Sequence, residues 1–408
     1  MTAKILLLRR ENYEQKEINS AVDAIFEHFG GVGRFIEPDA SVLLKVNLVS
    51  GQTASRRVTT DPVVVRAVAQ AVLKAGGRAV IADSPGIDSF GRAAKISGIA
   101  DVANELGIPC EELTDPVRAG SRLELSNRVL TSDVVINLPK MKTHAQMLLT
   151  MGVKNMFGCV VGRKKAEWHY NVGLRRDPFA ELLLDIWLAA RPALTIMDGV
   201  WGMDGRGPTH GKPFPYGVVA GAEDALSLDF HLCKMMGVRL EDYPLWRAAV
   251  SKGLPQTTLS DDDIAGDFTP SHVWNAAIPK LDSLSVIPFL ERGYLAKALT
   301  SRPVHIKARC LGALKCGKCV KLCAAKAIQI EQNIEQNIEQ KLEQKPEQDH
   351  KKDKLELRFD YDKCIRCYCC HEMCPAGAID FKEGLIMKAG KVISWIRDFL
   401  NSQNNQNS

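Results

Sequence analysis

Nine of the twelve cysteines in this chain of 408 residues fall between positions 310 and 374. They form two runs. Cys310, Cys316, Cys319 and Cys323 read C-x5-C-x2-C-x3-C, and Cys364, Cys367, Cys370 and Cys374 read C-x2-C-x2-C-x3-C followed by Pro375, with Cys369 left over. The second spacing is a ligand run for [4Fe–4S] clusters: two-residue gaps wrap three thiolates around one cube, and the fourth cysteine points away to a second cube. The expected ligand sets are therefore crossed. Cys310, Cys316, Cys319 and Cys374 would hold cluster 1, and Cys364, Cys367, Cys370 and Cys323 would hold cluster 2. The stretches that follow, CAAKAIQI and CPAGAIDF, repeat the Ala-Ile that opens a short strand.

Other cysteine chemistries fit less well. A zinc ribbon needs four ligands in two C-x2-C pairs, not eight with a three-residue gap before the last of each run. Disulfides belong to secreted chains, and a redox dithiol needs a single C-x-x-C. The first run departs from the usual pattern twice: five residues, LGALK, separate Cys310 from Cys316, and Ala324 stands where proline usually follows the fourth cysteine. If Cys310 does not reach the cube, a [3Fe–4S] form follows. Cys369 reads as a spare buried thiol or a substitute ligand. Cys110, Cys159 and Cys233 are solitary and read as buried thiols.

A second set of residues suggests a binding site. Lys45, Asn47, Lys140, Lys142, His144, Lys154 and Asn155 lie in or just after strand-like stretches. Lysines and amides at strand ends suit an anion, carboxylate or phosphate. Lys45, Lys140, Lys142, His144 and Lys154 are thus candidate substrate-site residues, with His144 a candidate general acid or base. Asp83 and Asp198 could hold a metal or act as bases, or serve as caps and turn residues. HFGGVG (28–33) is neither a dinucleotide fingerprint nor a Walker loop, and MDGVWGMDGRGPTHG (197–211) reads as a flexible active-site loop or a long connection.

The elements that would position these groups alternate. KILLLR (4–9), SVLLKVNLVS (41–50), RAVIADSPG (78–86), DVVINLPK (133–140), ALTIMDGV (193–200) and YGVVAGA (216–222) are apolar and strand-like. Between them, Glu17 to Phe29 carries apolar residues at helical spacing, residues 59–77 have capping Thr60 or Asp61, Pro62 in the first turn and Gly76-Gly77 at the exit, and Ser89 to Leu106 is helical in pattern. Buried strands alternating with helices imply an α/β domain with a largely parallel sheet flanked by helices, in which ligands sit at the carboxyl ends of the strands. A linker near 292–308 leads to a small α+β ferredoxin-like iron–sulfur domain over 303–385. A four-residue repeat at 330–354 reads as a low-complexity insertion in a hairpin connection. Residues 386–408 would form the end of a terminal helix (385–400) and a tail.

Composition excludes some classes. The net charge is +5, with 34 basic and 34 acidic residues in 1–300 and 19 against 14 in 301–408, so the excess lies with the cysteines. Those bases are interspersed with acids and lack aromatic interleaving, which argues against nucleic acid. No apolar run is long enough to span a membrane. The first apolar run, Ile5–Leu8, is followed rather than preceded by arginines and reads as a strand, so a cytoplasmic protein is expected.

Several of these stretches together carry a resemblance. LLKVNLVSG (43–51), TTDPVVVRAV (59–68), GGRAVIADSPG (76–86), DVVINLPKMKTH (133–144), MGVKNMFGCVVG (151–162) and IMDGVWGMDGRGP (196–208) resemble the DUF362 family over residues 1 to about 295, and CIRCYCCHEMCPAGAI (364–379) resembles the ferredoxin part that many of its members carry. The resemblance implies an α/β domain followed by a two-cluster domain, and implies no particular reaction. Three functional classes stand: a ferredoxin-linked oxidoreductase acting on an anionic small molecule, an electron carrier or redox sensor that docks an unidentified donor or acceptor protein, and non-redox catalysis with structural clusters.

Overall fold

The computed structural model describes residues 3–86, 88–162, 164–172, 176–268, 272–279, 301–332 and 355–382. The chain divides into two compact units, one of residues 1–168 and 176–280, the other of 281–408 together with 169–175.

The larger unit is built on an eleven-stranded sheet. In chain order its described strands are β1 (Ile5–Arg9), β2 (Ser41–Val46), β3 (Arg78–Asp83), β4 (Cys110–Glu112), the separate hairpin β5 (Pro116–Ala119) and β6 (Leu123–Ser126), then β7 (Val134–Leu138), β8 (Lys140–His144), β9 (Leu148–Thr150), β10 (Leu194–Asp204), β11 (Lys212–Phe214), β12 (Val218–Ala222) and β13 (Ile264–Gly266). The sheet runs β13-β1-β12-β10-β7-β2-β3-β4. From β10 to β4 all neighbours are parallel, while β12 lies antiparallel to both β1 and β10. The expected α/β architecture with a largely parallel, helix-flanked sheet is what forms.

Helix α1 (Gln15–His28) buries Ile18, Val22, Ile25 and Phe26, as its spacing predicts. Helix α2 (Pro62–Lys74) starts where Asp61 accepts the Val63 N–H at 3.1 Å, with Pro62 in the first turn. The helical stretch after Ser89 is two helices, Phe90–Ser97 and Ile99–Leu106, because Gly98 adopts φ 82° and breaks the run. The apolar faces of α1 and α2 pack with Val42, Leu44, Val46, Ile136, Leu138, Leu194 and Ile196 into one core. Strand side chains alternate between faces. Leu43, Lys45, Asn137 and Thr195 consequently belong to the opposite face.

Two further expectations change. The strand at 133–140 does not end there: past Pro139 the chain continues along β10 as β8, so Lys142 and His144 are strand residues rather than loop residues. Most of the glycine-rich stretch 197–211 is likewise no flexible loop, since β10 extends to Asp204. Gly202 fits because a Cβ there would overlap the Met141 carbonyl and the Tyr216 ring.

The smaller unit holds β14 (Arg302–His305), β15 (Ile328–Gln332), β16 (Leu355–Phe359) and β17 (Ile379–Lys382). Strand β14 pairs with β17 and β15 with β16, both antiparallel. The stretch read as a linker to 308 is therefore strand from Arg302, and the repeat stretch gives its first residues, Ile330 to Gln332, to β15. The rest of the repeat lies between the hairpin partners, and it and the expected terminal helix (385–400) fall outside the described residues. One buried apolar cluster of this unit is Ala313, Ile328 and Leu357 with a fringe that includes Cys319, Cys323 and Cys370, and Ala327, Tyr368, Ala378 and Ile379 are buried as well.

Candidate functional site

The strand register places Lys45 beside Asn137, and Asn137 beside Thr195, in a row across three parallel strands. Lys45 is fully buried, with its Nζ 2.8 Å from Asp83 Oδ1. Asp83 also accepts the N–H of Leu48 at 2.6 Å and of Ser84 at 2.7 Å, which fixes the loops after β2 and β3. A Cβ on Gly158 would overlap both Asp83 Oδ1 and Lys45 Nζ, so this backbone approach requires glycine. A chain of amides joins the row. Asn47 Nδ2 donates to Asn155 Oδ1 at 2.7 Å, Asn155 Nδ2 to Asn137 Oδ1 at 2.8 Å, and Asn137 Nδ2 to the Gly152 carbonyl at 2.9 Å. Asp229, on the helix Ala225–Met235, accepts the N–H groups of Gly152 and Val153 at 2.7 and 2.9 Å, and burial pushes its carboxyl up to about 7.

Lys140 belongs to a different group. Its Nζ donates to Asp198 Oδ2 and to Tyr13 Oη, both at 2.7 Å, and the Tyr13 hydroxyl donates to Asp198 Oδ1 at 2.8 Å. Asp198 Oδ2 also accepts the Asp61 N–H at 2.8 Å, at the start of α2. Arg57 pairs with Asp61 at 2.9 Å and lies 4.9 Å over the Tyr13 ring. Burial draws the Lys140 ammonium below the usual lysine range and, with the Asp198 charge, raises the Asp61 carboxyl and the Tyr13 hydroxyl.

Lys142 donates to Asn47 Oδ1 at 2.7 Å and to the Val58 carbonyl at 2.6 Å. His144 is 1% exposed, and its Nδ1 accepts the N–H groups of Gln146 and Met147 at 3.1 and 3.2 Å, which puts the proton of the neutral ring on Nε2. Lys154 lies half-buried on the short helix Gly152–Asn155. The candidate residues are thus not gathered in one cleft. Lys45 joins the amide row, Lys142 meets the same row through Asn47 and ties β8 to the β2–α2 connection, and Lys140 joins Tyr13 and Asp198 beside α2. Asp83 and Asp198 are counter-ions to lysines.

Sequence reasoning passed over Tyr13, Arg57, Gly158, Lys165 and Asp229. Only Gly158 stands in a quoted stretch, MGVKNMFGCVVG (151–162), and only the fold brings these residues to the polar groups. Lys165 donates to the Ser84 carbonyl at the carboxyl end of β3, and burial of its amine draws it down to about 8 against the pull of the Asp83 charge. Cys159 is buried beside this group, and burial pushes its thiol up to about 12.

In the smaller unit the two cysteine runs repeat in backbone as well as in sequence. Gly317 (φ 55°) and Tyr368 (φ 59°) turn the chain after Cys316 and Cys367, and each opens a four-residue helix, Lys318–Lys321 and Cys369–Glu372. Lys326 (φ 50°) and Gly377 (φ 59°) turn it again after Cys323 and Cys374. The N–H of Ala327 then donates to Cys323 Sγ at 3.2 Å and that of Ala378 to Cys374 Sγ at 3.1 Å.

The thiols meet across the repeat. Cys310, Cys316, Cys319 and Cys374 line one small cavity together with Leu311, Ala313, Leu357 and Ile379. Burial, and then the neighbouring Cys374, Cys310 and Cys316, push the Cys319 thiol up to about 11. Burial and then Cys367, Cys364, Cys323 and Cys319 raise Cys370 well above the usual thiol range. Cys369 is hydrogen-bonded with Cys367, which lowers Cys367 and raises Cys369. Thiols so crowded resist ionising until a cation joins them. Among the described residues no three His, Cys, Asp or Glu side chains converge tightly enough for one metal ion. The first four thiols instead surround a space, the arrangement a polynuclear iron–sulfur cluster takes, with each thiolate on its own iron.

An α/β domain joined to a cysteine unit of this kind defines an iron–sulfur protein, and the relatives agree. Residues 309–378 match a 4Fe–4S dicluster domain, and residues 42–234 match a domain of unknown function, DUF362. The chain is 38% identical over 262 residues, 63% of its length and 82% of the relative's, to the thylakoid-associated protein sll1697 of Synechocystis sp.. It belongs to the DUF362 family. It also resembles the lactate racemase apoprotein from Thermoanaerobacterium thermosaccharolyticum with a TM-score of 0.37 and 11% identity, over 56% of each chain, a likeness that carries neither fold nor function. Among the described residues no helix is long and apolar enough to cross a membrane.

Proposed function

We propose that this chain is an electron-transfer protein whose smaller unit binds two [4Fe–4S] clusters. Cys310, Cys316, Cys319 and Cys374 would hold one, and Cys364, Cys367, Cys370 and Cys323 the other. The clusters, when bound, supply reversible one-electron transfer. The observation that carries the reading is the crossing: Cys374, from the second run, lines the cavity of the first, and Cys323, from the first, is an electrostatic neighbour of Cys364 and Cys370. Cys310 lines the cavity despite its longer spacing, which favours a four-iron over a three-iron cluster there. Ala327 and Ala378 donate N–H groups to Cys323 and Cys374, bonds of the kind that tune a cluster's potential.

The larger unit supports docking or sensing better than catalysis on an anion, because Lys45, Lys140 and Lys142 already have buried partners. One observation favours the second reading, redox chemistry on an anionic small molecule: Lys165 places an amine at the carboxyl end of β3, where parallel sheets hold ligands.

Iron and acid-labile sulfide on anaerobically purified protein, with EPR after dithionite reduction, test the proposal. About eight of each per chain with interacting spectra is the expected result. About four, a three-iron signal, or zinc without sulfide would overturn it.

A further inference from the structure

The two halves of the iron–sulfur unit share a backbone but not a surface. From Ile306 to Ile330 the chain has six basic residues and no acid, while from Asp360 to Lys382 it has four acids and three bases. Lys315 and Arg366 hold equivalent places, each just before the second cysteine of the repeat. Arg366 is 3% exposed, with its guanidinium 5.2 Å over the Tyr361 ring, whereas Lys315 is exposed. The first half alone carries the longer LGALK excursion, where Leu311 is 57% and Leu314 65% exposed. In the second half the position matching Leu314 is Ile365, half-buried, and Tyr368 is 6% exposed. Leu311 also lines the cavity of Cys310, Cys316, Cys319 and Cys374. Leucines on a surface belong to an interface when they stand together within a polar rim, and a rim of one sign selects a partner of the other.

We propose that Leu311 and Leu314, rimmed by Arg309, Lys315 and Lys318, form the docking surface for a small acidic one-electron carrier protein; the inference rests on the cluster reading above. The carrier loses one electron and the iron–sulfur unit gains it, with no atom exchanged. Leu311 excludes water over the thiol cavity, Leu314 extends the apolar contact, and the bases, with no acid among them in sequence, steer the carrier's face onto it. Such contacts are small and short-lived, which suits two leucines better than a broad apolar face would.

The test is stopped-flow reduction of the full chain by reduced flavodoxin, an acidic carrier, with dithionite as a small reductant for comparison. Iron and sulfide are counted first in every variant. The wild-type rate with flavodoxin should fall steeply as ionic strength rises. Leu314→Ser should lose about tenfold or more with flavodoxin and nothing with dithionite, and Lys315→Glu with Lys318→Glu should lose both rate and salt dependence. Clusters present, with flavodoxin rates indifferent to salt, to Leu314→Ser and to the lysine substitutions, would overturn the docking surface alone. Absence of iron and sulfide from the wild-type chain would overturn the cluster reading and this surface with it.

Discussion

The buried lysine groups of the larger unit and the half-buried thiol groups of the smaller one are both polar clusters, yet they are opposites electrostatically. Lys45 has Asp83, Lys140 has Asp198 and Tyr13, and Lys142 has Asn47 and a carbonyl. Each cation meets its counterpart within the chain. The crowded thiols have one another, a few N–H groups and, at Cys364, the Arg366 guanidinium, so each ionisation among the neighbours of Cys319 and Cys370 worsens the next. A polar group matched from within holds a fold in register, and one matched only by an added cation marks a cofactor site.

Removing iron should break the comparison most visibly. Its buried hydrophobic residues among those described are Ala313, Ala327, Ile328, Leu357, Tyr368, Ala378 and Ile379, mostly small, and the smaller unit has too little core to stand alone. Chelation under reducing conditions should abolish its hydrogen-exchange protection and leave that of the larger unit unchanged. Persistence of protection in the iron-free unit would show that the thiols need no cation.

Lys140→Met comes next. It strands the fully buried Asp198, and the larger unit should lose about 3–5 kcal/mol in urea unfolding. Lys140→Met with Asp198→Asn should recover most of that loss, because the amide removes the stranded charge and keeps an acceptor for the Asp61 N–H, and no recovery would mean that the loss does not come from the unpaired charge.

Asp229 sharpens the contrast, because it is a buried acid with only N–H partners. Its folded pKa, about 7, lies above the unfolded value near 4, so between those values the folded chain holds more protons and stability declines as pH rises. The decline has an upper bound of about 4 kcal/mol and flattens above pH 7. Subtracting the pH profile of Asp229→Asn isolates it from the carboxylates that pull the other way, and a flat difference would remove Asp229 from the account.

Gly158→Ala should have the smallest effect, about 1–3 kcal/mol, by pressing a methyl against the Lys45–Asp83 pair. A neutral result in the same unfolding assay would mean the loop moves and the pair is less rigid than its distances imply.

Much of this was readable from residue order, and for local reasons. The entry of α2 at Asp61 and Pro62 depends on neighbours within a turn. The crossing of Cys323 and Cys374 follows from a ligand spacing that leaves no other geometry for the fourth thiol. The lysines were legible as unusual but not as matched. Asp198 and Lys140 are 58 positions apart and Tyr13 and Lys140 are 127 apart, separations that no periodicity reports. The continuation of β8 along β10 was hidden because Pro139 reads as a strand end, yet its carbonyl still accepts the Asp198 N–H at 2.9 Å.

The sequence by itself determined the class of the sheet, the identity of the iron–sulfur unit and its excess of positive charge, because periodicity, ligand spacing and composition are properties of residue order. Only the tertiary structure decided that the lysines face carboxylates and amides rather than an open cleft, that Cys310 lines the cavity despite its longer loop, and that Lys315 is exposed while its counterpart Arg366 is buried. The reason is physical. Burial and pairing depend on distances between residues far apart in the chain, and those distances come into being only when strands and helices pack.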